Sequence, residues 1–201
     1  QEDVFYYLTL MNENYRHPPM PEDSQEGILR GMHRIREAGR GSKRPRVALL
    51  GSGTILNEVL AAAELLESDW DVAAEVWSVT SFTELRRDGL AVGRWNMLHP
   101  AAQPRLAYVS QCLSPAPVVA ATDYIRAYAD QIRQWIPGPY RVLGTDGFGR
   151  SDTRAALRHF FEVDRHYVTV AALYELGQAE RAAEAIGRYH IDPEAPLPTT
   201  V

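Results

Sequence analysis

The sequence predicts an α/β fold: a three-layer domain whose five-stranded, mostly parallel sheet carries helices on both faces. Three observations predict it. Short apolar runs such as Val47–Leu50, Val118–Ala121 and Tyr140–Leu143 recur with helix-length amphipathic stretches between them. Strands joined through helices make crossover connections and so run parallel. Val47–Leu50 and Val118–Ala121 are continuous apolar runs rather than alternating ones, as in strands covered on both faces. The chain is also long enough: 201 residues, 45% of them apolar, can bury roughly 70% of the surface that the unfolded chain exposes.

Taken in order, the chain opens with Gln1, Glu2 and Asp3 and then a strand-like run, Val4–Leu10. An apolar strand without a neighbour invites aggregation, so residues 1–18 are expected to be the last strand and exit of a preceding domain, in a fragment of a longer polypeptide. Pro18, Pro19 and Pro21 exclude a helix interior or a central strand and begin a linker over 19–45. Asp23 and Glu26 have capping-box spacing, and Ile28, Met32 and Ile35 follow at helical spacing. A basic, flexible turn, Gly39–Pro45, ends that short helix.

Residues 46–201 alternate regularly. Val47–Leu50 reads as a strand, Gly51–Thr54 as a turn with Thr54 at the cap, and Ile55, Val59, Ala62 and Leu66 as the buried face of a helix. Glu75–Thr80 is the second strand, and Ser81 with Glu84 forms a capping box. Leu106–Val109 is expected as the third strand and Val118–Ala121 as the fourth. Thr122 or Asp123 then caps a helix with a core face of Ile125, Tyr128, Ala129, Ile132 and Ile136. Tyr140–Leu143 is the fifth strand; Gly177 divides a helical tail, and Pro193, Pro196 and Pro198 close it.

Composition excludes several functions. A formal charge of −5 disfavours a general binder of nucleic-acid backbones. No apolar run approaches the ~20 residues of a membrane span. The single cysteine, Cys112, rules out an internal disulfide framework and a cysteine-based zinc site, and points to the cytoplasm. The six histidines lack zinc-ligand spacing, and no nucleophile elbow is present. Trp77 and Tyr108 fall in expected strands and read as core.

Two loops carry candidate chemistry. Gly51-Ser52-Gly53 begins like a dinucleotide fingerprint, whose glycines let backbone N–H groups approach a pyrophosphate. Leu56 stands where the third glycine belongs, and Asn57 and Glu58 where a P-loop would have its lysine. The loop is a nucleotide site or, more simply, a tight strand-to-helix turn. Gly144–Arg154 gathers three glycines, two acids and two arginines after the fifth strand, where α/β proteins bind ligands. It is a ligand loop or a structural turn and subunit contact. Ser151 or Asp152 is placed to cap the next helix, with Leu157, Phe160 and Phe161 on its buried side, and Arg150 or Arg154 to pair with Asp146.

Val47–Thr54 (VALLGSGT), Trp77–Gly89 (WSVTSFTELRRDG), Arg94–Pro100 (RWNMLHP), Ala121–Tyr124 (ATDY) and Arg141–Thr153 (RVLGTDGFGRSDT) resemble the C-terminal region of the homodimeric bacterial pyruvate dehydrogenase family. Phe5–Pro18 resembles the end of that family's pyrimidine-binding domain. The resemblance implies a transketolase C-terminal-type domain over 46–201. It also implies a parent that binds thiamine diphosphate and magnesium, decarboxylates pyruvate and passes acetyl to the lipoyl group of an acetyltransferase component. It places no catalytic, cofactor-binding or metal residue in this chain. The family's metal motif begins Gly-Asp-Gly and closes on paired asparagines. Thr145-Asp146-Gly147 echoes only its start, and no asparagine follows it here. The domain is then expected to be structural and inactive alone, supporting the rest of the parent chain and its homodimer mate. Asp146, Arg150, Ser151, Asp152 and Arg154 are expected to form an interface loop. Asn12, Glu13, Asn14 and Tyr15 come nearest to active-site surroundings. The alternatives are a domain that docks the acetyltransferase or a regulator, and an independent small-molecule module.

Overall fold

The computed structural model describes residues 3–5, 13–39 and 43–200. Among them, five strands form one sheet: β1 (Met32–Arg36), β2 (Arg46–Gly51), β3 (Ala73–Val79), β4 (Val118–Ala121) and β5 (Tyr140–Leu143). The order across the sheet is β1-β3-β2-β4-β5; β1 runs antiparallel to β3, and all other pairs are parallel. The helices are α1 (Gln25–Arg30), α2 (Leu56–Asp69), α3 (Phe82–Leu98), α4 (Tyr108–Cys112), α5 (Arg126–Asp130), α6 (Arg154–Phe160), α7 (Arg165–Glu175) and α8 (Ala179–Arg188).

The period of two along a strand assigns side chains to layers. Val47 and Leu49 of β2 join Val76, Val119 and Ala121 on one face, where Val59, Leu66, Val168, Ala172 and Ala185 of α2, α7 and α8 cover them. Ala48 and Leu50 join Trp77, Val118, Ala120 and Val142 on the other, against Phe82, Leu85, Val109 and Ile132. All four residues of β4 are buried, as a central strand covered on both sides must be. Trp70 donates its indole N–H to the Tyr189 hydroxyl at 2.9 Å, fastening the end of α8 to the turn after α2.

Several expectations change. Ile28, Met32 and Ile35 do not share a helix: Gly31, at φ 104°, ends α1, and Met32–Arg36 turns into an edge strand of the sheet. The Gly31 carbonyl accepts from the N–H groups of Thr80 and Ser81 at 2.9 and 3.0 Å, docking the turn onto the end of β3. Residue 24, not Asp23, precedes α1 as its cap position, and no side chain caps it; Asp23 itself sits at φ 57°. Leu106–Val109 is not a strand. Leu106 is 62% exposed, and α4 starts at Tyr108, whose N–H donates to Asp88 at 2.6 Å.

Thr54 does not cap α2, which is entered through a 3-10 turn, Gly53–Ile55, with no side-chain cap. The helix expected after β4 shrinks to α5, leaving Ile125 and Tyr128 exposed while Ala129 and Ile132 are buried. Thr153, rather than Ser151 or Asp152, caps α6 by accepting from the Ala156 N–H. The Ser81 cap of α3 is present, accepting from the Glu84 N–H at 3.1 Å, whereas the Glu84 carboxylate pairs with Arg87 instead of reaching back. Gly177, at φ 72°, separates α7 from α8 as expected. Tyr6–Asn12, most of the expected first strand, lies outside the described residues.

Candidate functional site

The parallel strands β2, β4 and β5 lie side by side, so their carboxyl-end loops converge on one rim. A buried hydrogen bond of 2.7 Å between the Ser52 and Thr122 hydroxyls ties the first two loops together. Gly53 takes φ 56°, and a Cβ there would stand 3.1 Å from a carboxylate oxygen of Asp123. Thr145 donates its hydroxyl to the Asp123 carbonyl at 2.6 Å and its N–H to the Tyr124 carbonyl at 3.0 Å, joining the third loop to the second. A Cβ on Gly144 would fall 2.8 Å from both the Arg126 nitrogen and the Tyr124 oxygen, so these loops touch backbone to backbone. Gly51 and Ser52 are buried in this contact, whereas Gly53 is exposed and Thr54 half-buried at the rim.

Asp146 pairs with neither Arg150 nor Arg154. Its two carboxylate oxygens accept from the Arg126 N–H at 2.9 Å and Nε at 2.6 Å. Partial burial alone would raise its pKa, but the Arg126 hydrogen bonds and charge bring the carboxyl below its ordinary value. Arg150 lies 4.1 Å above the Phe160 ring. Ser151 and Asp152 are exposed, and Asp152 accepts from the Thr153 N–H. Arg154 pairs with Glu13. Phe148, in the same loop, is 89% exposed. Asn12 lies outside the described residues, while Glu13, Asn14 and Tyr15 reach this rim.

Two adjoining clefts result. One of about 280 Å³ is walled by Thr145, Arg150, Arg154, Arg158 and Phe161. The other, of about 670 Å³, shares Thr54 and Asp123 with it and is bounded by Glu13–Pro18.

Behind the rim lies Glu58, 5% exposed on α2. Arg158 donates to its carboxylate at 2.9 Å, and Arg165 does so at 2.8 and 3.2 Å from its side chain and 3.2 Å from its backbone. Burial pushes this carboxyl up, but the Arg165 hydrogen bonds and charge, helped by Arg158, outweigh it and leave the pKa below the ordinary value. Glu58, Arg158, Arg126 and Asp123 were not singled out as paired groups in the sequence. The partners of Glu58 are 100 and 107 residues away, so no local spacing signals them.

Burial raises the Cys112 thiol and pushes the neighbouring Tyr108 hydroxyl up to about 12, so both stay protonated at neutral pH. Magnesium with a diphosphate needs several oxygen donors converging on the ion. Both oxygens of Asp146 are engaged by Arg126. Among the described residues, no three His, Cys, Asp or Glu side chains are grouped to hold a metal. The described residues do not fit such a group.

Residues 31–164 match the family model described as the transketolase-like TK C-terminal domain. The whole chain is 54% identical to the pyruvate dehydrogenase E1 component of Cupriavidus necator, of which it covers 23%. To the protein of the same name from Pseudomonas aeruginosa it is 56% identical, with 96% of this chain and 23% of that protein covered. The chain thus spans less than a quarter of the length of these relatives. A transketolase structure from Campylobacter jejuni superposes with a TM-score of 0.52 and 17% identity over 79% of this chain and 20% of that one. The match is one of fold.

Proposed function

The chain belongs to the transketolase-like C-terminal domain family, and on that premise we propose that it is the C-terminal region of a pyruvate dehydrogenase. The observation that carries this is the identity of 54% spread over the entire chain with a relative of that name. In this proposal the parent decarboxylates pyruvate oxidatively in the cytoplasm and hands acetyl to the lipoyl group of the acetyltransferase component. Thiamine diphosphate and magnesium belong to parts of the parent outside this chain. The domain's own work is mechanical: it supports the homodimer and the surroundings of the active site.

Two features of the rim support a contact role for Gly144–Arg154. Phe148 holds an aromatic ring almost wholly in solvent, where a partner surface would remove it from water. Arg150 is laid over Phe160, and an arginine on an aromatic face is the kind of side chain that anchors interfaces.

Calorimetric titration of this chain with thiamine diphosphate and magnesium, followed by a pyruvate decarboxylation assay on the same sample, tests the division of labour. No saturable heat and no turnover are expected. Saturable binding or carbon dioxide release would overturn it and make Asp146 the first residue to replace.

A further inference from the structure

The crevice outside the carboxyl ends of parallel strands is where α/β proteins of this kind take ligands. Here a segment of the same polypeptide reaches it. Glu13 pairs with Arg154 and also accepts from the Tyr15 hydroxyl at 3.0 Å. The Tyr15 ring lies under two guanidiniums, with centroid distances of 5.7 Å to Arg154 and 5.9 Å to Arg158. These two arginines are four residues apart on α6 and so share one helix face. Arg158 is also held by the buried Glu58 at 2.9 Å. Asn14 lines the larger cleft opposite Gly53, Asn57 and Tyr124.

We propose that this crevice is a docking site for an acidic–aromatic peptide segment and that its resident is the chain's own Glu13–Tyr15, an intramolecular latch. The carboxylate meets one guanidinium, and the aromatic face meets that one and its helical neighbour. The network of Glu58 and Arg165 holds the second guanidinium in place. Pro18, Pro19 and Pro21 follow after Arg16 and His17; their fixed φ stiffens the chain leaving the segment and lowers the entropy lost on docking. The latch fixes where the polypeptide preceding the domain leaves its surface. It stands independently of the activity proposed above, and its test uses no substrate.

Chymotryptic cleavage after Tyr15, mapped by mass spectrometry on the 201-residue chain, reads the undocked fraction when docking is fast relative to cleavage. Each rate is divided by that of a synthetic peptide of the same local sequence. Arg154→Glu and Glu13→Arg should each speed cleavage about fivefold, the upper range for an exposed ion pair aided by a cation–π contact. The double variant, with the charges exchanged, should return to within about twofold of the original rate, because the two groups act on each other. Glu13 lies outside the sheet and its helices, so its variant remains informative if Arg154→Glu compromises folding. A Glu13→Arg rate equal to the original overturns the latch, and so does a folded double variant cleaved as fast as the singles.

Discussion

Glu58 shows how far one side chain's stability can depend on distant sequence. It is a carboxylate on the apolar face of α2, and the guanidiniums of Arg158 and Arg165, with the Arg165 backbone N–H, make its burial tolerable. Glu58→Gln leaves two cations facing a neutral amide, and should cost about 2 kcal/mol of unfolding free energy in urea, discounted because Arg165 is partly solvated. The same pairing makes stability depend on pH. The folded pKa lies below the ordinary one, so the unfolded chain takes up the proton first. The contribution is complete above the ordinary carboxylate range and is lost as pH falls through the folded value. Urea midpoints measured downward from about pH 5 should therefore drop more steeply for the native chain than for Glu58→Gln. Equal slopes would assign the acid sensitivity to other carboxylates. Asp146 was legible as a loop acid but not as the partner of Arg126, because the pairing crosses two loops that only the sheet order brings together.

At the scale of elements, β2 and β4 were legible because their continuous apolar runs are those of strands buried on both faces. β2, β4 and β5 fall within a residue of their expected bounds, and β3 starts two residues early. β1 was hidden by a coincidence of spacing: Ile28, Met32 and Ile35 fit a helical stripe, while a register shift at Arg34–Arg36 blurs the strand's alternation. Leu106–Val109 failed for the opposite reason, since four apolar residues are too few to separate strand from helix. Gly31 decides the first case physically. At φ 104°, a Cβ there would stand 2.6 Å from the Ser81 carbonyl, so Gly31→Ala should lose at least about 2 kcal/mol by thermal or urea unfolding. Gly89→Ala tests the packing of α3. In an exposed helix the change would gain up to ~1 kcal/mol, but here the new methyl falls 2.3 Å from the Trp135 ring. Net destabilisation with a shift in tryptophan emission is expected, and a stabilised variant would show that Trp135 yields freely.

At the scale of the whole molecule, the rim loop should matter to assembly more than to folding. In the full-length parent, Arg150→Ala should weaken dimerisation by about tenfold, as removal of an interface arginine does, with little change in melting temperature of the isolated chain. Sedimentation showing an unchanged dimer affinity would remove Arg150 from the interface.

The strand order also determines how the protein can be made from one end. The order allows β2 and β3 to pair as soon as both have emerged, with β1 on the free side of β3. β4 then adds to the free side of β2, and β5 to the free side of β4. None of the five described strands needs to be inserted between two that are already bonded, so their vectorial assembly needs no undoing of earlier pairs. The liability of this route is that every intermediate presents an open edge. On a stalled ribosome the nascent chain is most vulnerable after β3 and before β4, when the flank of β2 waits bare for a partner more than forty residues away in the sequence.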